Sequence, residues 1–337
     1  MKVRAPGVVK LLGEHAVVYG KLSIAAAISL YATAEVERNS TGLVVDLPDI
    51  GIKGSMTRDE LAALHRSYKS RTDINEFINS SGNVELELLP YFTVAAQLLG
   101  EHSIDPCGTA VIRSEIPIQK GNASSAACLT TFAVAMAKIS NSSPDDAELI
   151  EAARAGEKIV HKNEGAGKID ISTSYYGGIV SFNGERGARR EESAANIDIL
   201  MIDTGPKRST AEMVGIVSNL YKTERGRADV LFNRIDRLSA TGLDALKAND
   251  LGMIGRCMYE DHAILSEMGV SSSGLDVAVE LARRHGAYGA KLSGGGGGGL
   301  AIAIADDYTE LRKELEHNGF ESVLARISPT GAKDMVG

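Results

Sequence analysis

A carboxylate held among glycines is the first residue here that could do chemistry. Asp170 closes the segment Gly165-Ala166-Gly167-Lys168-Ile169-Asp170, where a glycine-flanked turn lets it approach a substrate hydroxyl and orient or accept its proton, as phosphoryl transfer requires. The same pattern also serves as an Asx turn capping a helix near Ser172, so this segment alone leaves both readings open. A second segment, Gly121-Asn122-Ala123-Ser124-Ser125-Ala126-Ala127, stands between a strand and a helix. Its small residues allow the backbone to close on an anion, the helix start leaves N–H groups unpaired, and two hydroxyls could reach phosphate or magnesium. An ordinary N-cap gives the same Ser-Ser pattern. The third is Lys291-Leu292-Ser293, followed by six glycines, Gly294 to Gly299, and the apolar run Leu300 to Ile304. Ordering so many glycines is entropically costly, which favours a loop that approaches a ligand closely over a linker. No Gly-Lys-Ser/Thr closes the run, so it is not a Walker A loop, and a G-x-G-x-x-G match inside it carries no dinucleotide information.

The elements that must position these groups read as a mixture. Alternating and β-branched residues from Met1 to about Glu37 predict strands broken at Gly13 and Gly20. Residues 39–84 are polar and predict a peripheral insertion around one short helix, where Thr57 and Glu60 have capping-box spacing. A helix from Tyr91 to Glu101, a strand from Gly108 to Ser114 and a helix from Ser124 through Met136 follow. Ser143-Pro144-Asp145-Asp146 predicts an N-cap and a first-turn proline for a helix running through Glu157 to about Lys162. The charged stretch Glu185 to Glu192 predicts a loop and places a domain boundary there, dividing the chain into 1–188 and 189–337. Beyond it, a strand at Ile197 to Ile202, helices near 209–222, 226–247 and 272–286, the strand Leu300 to Ile304, a helix at 308–318 and a strand at Val323 to Ile327 are expected. Strands and helices intersperse without a regular βαβ repeat, which predicts an α+β fold.

With 337 residues and 44% apolar content, the chain can bury a substantial core. A net charge of −8 gives no electrostatic footprint for nucleic acid or an anionic membrane. Cys107, Cys128 and Cys257 are widely spaced, without a C-x-x-C pair, which fits a reducing cytoplasm, and no run of eighteen apolar residues predicts a membrane span. The histidines lack metal-ligand spacing; His161 is as consistent with packing as with function.

Together the segments resemble the GHMP kinase superfamily, most closely its mevalonate kinase branch. Ala5-Pro6-Gly7 followed by Gly13-Glu14-His15-Ala16-Val17-Val18-Tyr19-Gly20-Lys21 is similar to the branch's opening motif. Ile116-Pro117-Ile118 with Gly121 and Ser124 to Ala127 resembles its second, and Gly289-Ala290-Lys291-Leu292-Ser293 with the glycine run its third. The resemblance implies an N-terminal α+β domain with a left-handed βαβ unit, a C-terminal ferredoxin-like domain, and ATP with Mg2+ between them. It implies that Gly121, Ser124 and Ser125, with Gly294, Gly295 and Gly296, hold ATP phosphates; Lys120, Asn122, Ala123 and Ala126 are expected to complete the first loop, with Lys120 and Asn122-Ala123 standing where the family prefers small residues and Leu-Gly. By the same resemblance Asp170 is the catalytic carboxylate, Ser125 and Glu157 face magnesium, and Glu14, His15 and Ser293 line the acceptor; Lys168, a departure from the pattern just before the catalytic turn, is expected to join them. Glu157 lies thirteen residues before Asp170, a longer spacing than the family's, so Glu164 competes for the metal role.

The branch places lysine directly after Ala-Pro-Gly; here that residue is Val8, and Lys10, two residues on, points to the same strand face and is expected to supply the ammonium. The implied activity is ATP-dependent phosphorylation of the 5-hydroxyl of a mevalonate-type small molecule in isoprenoid biosynthesis. Lys120, Lys162 and Lys168 leave open an acceptor that already bears phosphate, mevalonate 3-phosphate, beside free mevalonate. Homoserine or sugar kinase activity, a non-catalytic ATP and metabolite sensor, and a homodimer also remain open.

Overall fold

β1 (Lys2–Leu12) and β2 (Ser23–Arg38) form a long antiparallel pair joined through a short 3-10 turn, Ala16–Tyr19. The computed structural model describes residues 1–39, 41–82, 84–116, 124–140, 144–193, 197–205 and 210–332. β3 (Leu43–Leu47), β4 (Ile52–Met56), α1 (Arg58–Ser70), α2 (Ile74–Ser80), α3 (Leu89–His102) and β5 (Gly108–Ser114) follow. Next come α4 (Ser124–Ile139), α5 (Asp146–His161), α6 (Lys168–Tyr176) and the hairpin of β6 (Ile179–Asn183) with β7 (Gly187–Glu191). These strands build a seven-stranded sheet in the order β4-β3-β5-β2-β6-β7, with β1 on the other edge of β2.

The remaining elements are β8 (Asp198–Asp203), α7 (Thr210–Thr223), α8 (Arg225–Ala248), α9 (Leu251–Glu267), α10 (Ser273–Arg284), β9 (Gly289–Leu292), β10 (Leu300–Ile304), α11 (Thr309–His317) and β11 (Glu321–Arg326). Their sheet is antiparallel in the order β11-β8-β10-β9, the fourth, first, third and second strand of that half, which is ferredoxin-like topology. One core lies between the first sheet and α1, α3, α4 and α5; another lies between the second sheet and α7, α8, α10 and α11. A third joins the halves, packing Val9, Leu11, Ile24 and Ile28 against Ile199, Met201 and Ile302 with Leu246, Ile254 and Met258.

Four expectations change. Residues 39–84 are not peripheral throughout: β3 pairs in parallel with β5, and Leu43, Val45 and Leu47 enter the core, because alternate residues of that short strand are apolar. The capping box at Thr57 and Glu60 forms as predicted at the start of α1. The stretch 185–192 is not a loop, since 187–191 adds the edge strand β7, on which charged side chains are tolerated. α5 is capped by Asp145 in a capping box with Glu148; Pro144 therefore precedes the cap, and Ser143 lies outside the described residues. α9 was not anticipated at all, for a reason that lies in its packing: a Cβ at Gly255 would stand 2.0 Å from the Tyr288 carbonyl oxygen, so close contact with the chain entering β9 requires a poor helix former.

Candidate active site

β1 is the rail along which the site is assembled. The Ser174 hydroxyl of α6 donates to the Pro6 carbonyl at 2.7 Å. At Gly7 a Cβ would lie 3.1 Å from Ile116 Cδ1, so the chain leaving β5 toward the second motif presses on β1 there. Three residues further, about 10 Å along an extended strand, the Ser293 hydroxyl accepts from the Lys10 N–H at 2.8 Å and donates to the Lys10 carbonyl at 3.1 Å. The ladder with β2 shifts register between Lys10 and Leu12, an irregularity of the kind that re-aims side chains beside functional sites. From it the Lys10 ammonium pairs with Asp170 Oδ1, both side chains being mostly buried. Val8 turns into a small apolar cluster with Ile169, Ala25 and Phe182, which seats α6 on the sheet.

Asp170 is not in an isolated turn; it lies in the first turn of α6, whose N-cap is Gly167. Gly167 has φ 80°, and a Cβ there would stand 2.7 Å from Glu157 Cβ, so α6 begins directly upon α5 at Glu157. Glu157 is buried, accepts from His161 Nε2 at 3.0 Å, and leaves Oε1 without a partner among the described residues. Burial pulls the His161 imidazole down, but the Glu157 and Asp170 carboxylates outweigh it and raise its pKa. Glu164 is engaged elsewhere: Arg71 Nη1 and Nη2 donate to its two oxygens at 2.5 and 3.3 Å, and Lys158 lies 3.6 Å away. Lys168 and Lys162 are exposed on either side of this turn.

The six-glycine segment is pinned rather than loose. The Gly297 N–H donates to the Val270 carbonyl at 2.8 Å, and at Gly296, φ 80°, a Cβ would meet that oxygen at 2.0 Å. The Gly299 carbonyl accepts from the Thr204 N–H at 2.8 Å. Gly295 offers its carbonyl to His15 Nε2 at 3.0 Å, so that nitrogen carries the proton. Burial keeps the His15 imidazole's pKa low. His15 itself sits at φ 59°, ψ −49°, with the Ala16 N–H donating to the Glu14 carbonyl at 2.6 Å; this is a strained γ-turn, a conformation retained where the surroundings enforce it. The Glu14 carboxylate faces inward to Lys291.

Ser124 opens α4 and shares a hydrogen bond with Ser114 at 3.1 Å; Ser125 is half-buried beside it and Ala126 is buried. Lys120, Gly121, Asn122 and Ala123 lie outside the described residues. Lys10, Asp170, His15, Ser293 and Gly295 are thus brought together, Glu157 adjoins them through α6, and Ser124 is reached along β1 through Ser114, Ile116 and Gly7. A groove of about 970 Å³ lies elsewhere, along Tyr308, Arg312, Phe320 and Leu324, and holds none of these groups.

Sequence reasoning placed Lys291 and Gly167 inside its motifs without a role of their own, and missed Asp261. A lysine inside the short apolar strand Gly289–Leu292 was the available signal for the first and the glycine flank of Asp170 for the second; nothing in the local pattern marked Asp261.

The GHMP kinase N-terminal domain model matches residues 90–178, and the GHMP kinase C-terminal model matches 243–321. A mevalonate kinase of Methanothermobacter thermautotrophicus is 30% identical, the match covering 89% of this chain and 88% of that one. The chain belongs to the GHMP kinases. The mevalonate kinase of Aeropyrum pernix is similar over 98% of this GHMP kinase and 97% of its own length, at 27% identity. The crystal structure of the Methanococcus jannaschii mevalonate kinase superposes with a TM-score of 0.79, at 26% identity, over 97% of this chain and 98% of that one. As a GHMP kinase the protein is an ATP-dependent small-molecule kinase with a mixed α+β fold.

Proposed function

We propose that this kinase transfers the γ-phosphoryl of ATP to the 5-hydroxyl of a mevalonate-type acid. The observation that carries the reading is the Lys10–Asp170 pair, set on β1 beside Ser293 at the mouth of the glycine run. The proton of the acceptor hydroxyl passes to Asp170, the new O–P bond forms as the bond from the γ-phosphorus to the bridging oxygen breaks, and ADP leaves. Lys10 offsets the charge that develops between carboxylate and alkoxide. Backbone N–H groups at the Ser124 helix start and in the Gly294–Gly296 segment bind the phosphates, with Lys120 to Ala123 and Ala126 completing the first loop. His15 and Ser293, with Glu14 behind them and Lys168 at the rim, line the acceptor.

Magnesium fits this arrangement on one observation: Glu157 Oε1 is a buried carboxylate oxygen without a partner among the described residues. Glu157 and the Ser125 hydroxyl would hold the ion, which neutralises phosphate charge when bound.

Curated relatives named mevalonate kinase support free mevalonate as acceptor. The exposed Lys162 and Lys168 around the start of α6 favour a second reading, mevalonate 3-phosphate, because ammonium groups there suit an added phosphate. Purified protein assayed with ATP and magnesium on mevalonate, mevalonate 3-phosphate and mevalonate 5-phosphate separates them. Turnover of free mevalonate alone discards the phosphorylated acceptor; turnover of none removes the mevalonate reading.

A further inference from the structure

Lys291 is a charged residue inside a short apolar strand, and its side chain is wholly buried. An ammonium removed from water requires carboxylates and carbonyls in place of its hydration shell. Three oxygens supply them: Glu14 Oε1 in a short ion pair, the Leu292 carbonyl at 2.6 Å, and Asp261 Oδ2 at 3.4 Å. Glu14 and Asp261 are also buried, so two carboxylates share one ammonium in a site closed to solvent. Burial raises the Asp261 carboxyl, Lys291 pulls it back, Glu14 pushes it up again, and it stands at about 7.

Each of the three belongs to a different element. Glu14 immediately precedes the strained turn at His15, Lys291 stands two residues before Ser293, and Asp261 comes from α9. Beside Asp261, His262 accepts the Leu292 N–H on Nδ1 at 3.2 Å and donates from Nε2 to Asp276 at 3.1 Å, which fixes a neutral imidazole and clamps β9 from the same helix. A salt bridge this deep adds little stability over apolar packing, so its position beneath two functional loops points to geometry. We infer that Lys291 is a positioning residue for phosphoryl transfer, holding the turn that presents His15 and the strand that opens the glycine run in one register through Glu14, with Asp261 as a second carboxyl that competes for the same ammonium.

Lys291 acts here within the kinase reading proposed above, through His15 and Ser293 rather than on the acceptor. The charged and titratable groups around Asp261 are Lys291 of β9, Glu14 of the turn after β1 with His15 beyond it, and Cys257 and His262 of its own helix. Of these, the pairing of Lys291 is the one that changes as Asp261 ionises: below about 7 the ammonium serves Glu14 alone, and above it two charged carboxylates compete.

Two variants test the inference. Asp261→Asn keeps the shape and leaves Lys291 paired one-to-one with Glu14. Lys291→Met combined with Asp261→Asn removes the tie and leaves Glu14 as the sole carboxyl, free to take a proton. The parent's kcat should fall as pH rises through about 7, and Asp261→Asn should lose that limb. The double variant, folded by circular dichroism, should lose tenfold or more in kcat. Hydrogen–deuterium exchange, which requires no acceptor, should show the peptides covering 13–19 and 289–299 loosening together as pH rises toward 7 in the parent and levelling off above it, beyond the intrinsic rate change, and not in Asp261→Asn. Superimposable pH profiles of parent and Asp261→Asn overturn the inference, as does a folded double variant with kcat within twofold of the parent, or exchange that changes at one loop only. Should the double variant fail to fold, Asp261→Asn and the exchange measurement decide. A parent without turnover on every acid offered counts against the mevalonate reading alone, because exchange still reports the tie.

Discussion

Asp170 and Lys10 meet across 160 residues of sequence, and their pairing is the most direct consequence of how α6 lies on β1. The carboxylate is held by the first turn of a helix and the ammonium by a strand irregularity, so neither depends on a mobile loop for its place. Asp170→Asn keeps the shape and removes the proposed proton acceptor. Turnover should fall by roughly two orders of magnitude or more, while nucleotide affinity and the thermal midpoint stay close to the parent's. Steady-state kinetics beside a nucleotide titration check this, and near-parental turnover would remove Asp170 from the scheme. Asp170 was legible in the sequence because glycines around a carboxylate are unusual enough to notice. Its partner was legible only as a type: Lys10 shares a strand face with Val8, but the apolar seat at Val8 beneath Ile169 and the reach of the ammonium to Asp170 exist only once the helix has docked.

At the scale of elements, one close approach sets where α6 starts. Gly167 is at positive φ and abuts the Glu157 side chain, so any Cβ there strains the backbone and pushes the start of α6 off α5. Gly167→Ala should destabilise the protein by about 1–3 kcal/mol and lower kcat by about tenfold, since Asp170 lies three residues away. Urea melts together with kcat measure both effects, and a variant that matches the parent in each would show that α6 is positioned by other contacts. Glycine in this role explains both a success and a failure of sequence reading. The run Gly294 to Gly299 was conspicuous because six small residues stand together, and its anchors on Val270, Thr204 and His15 show what offsets the ordering cost. Gly252 and Gly255 obscured α9, because their low helix propensity was visible and the contact with Tyr288 was not. Strand β3 was lost among polar neighbours for a related reason: five residues with alternating burial are too few to assert a period on their own.

For the whole molecule, the core that joins the two sheets matters most. Val9, Leu11, Ile24 and Ile28 of the first sheet interdigitate with Ile199, Met201 and Ile302 of the second, and α8 and α9 close over both. β1 therefore serves the packing of both halves while carrying the site between them. We expect thermal unfolding in a single calorimetric transition with equal calorimetric and van't Hoff enthalpies, since neither half can lose this core alone. Two resolved transitions would show that the halves are energetically separable. The sensor alternative also weakens at this scale, because a purely binding protein needs no carboxylate and ammonium aligned at the meeting point of both halves.

The sequence by itself determined the family resemblance, the α+β class and the identity of the groups that could bind phosphate and accept a proton, because glycine runs, helix caps and apolar periods are local and survive without neighbours. Tertiary structure alone decided which charges meet: Lys10 with Asp170, Lys291 with Glu14 and Asp261, Glu157 with His161, and Glu164 turned away to Arg71. Ion pairs act over a few ångströms between residues far apart in the chain, so their partners are fixed by how helices dock on strands, and no local pattern encodes that.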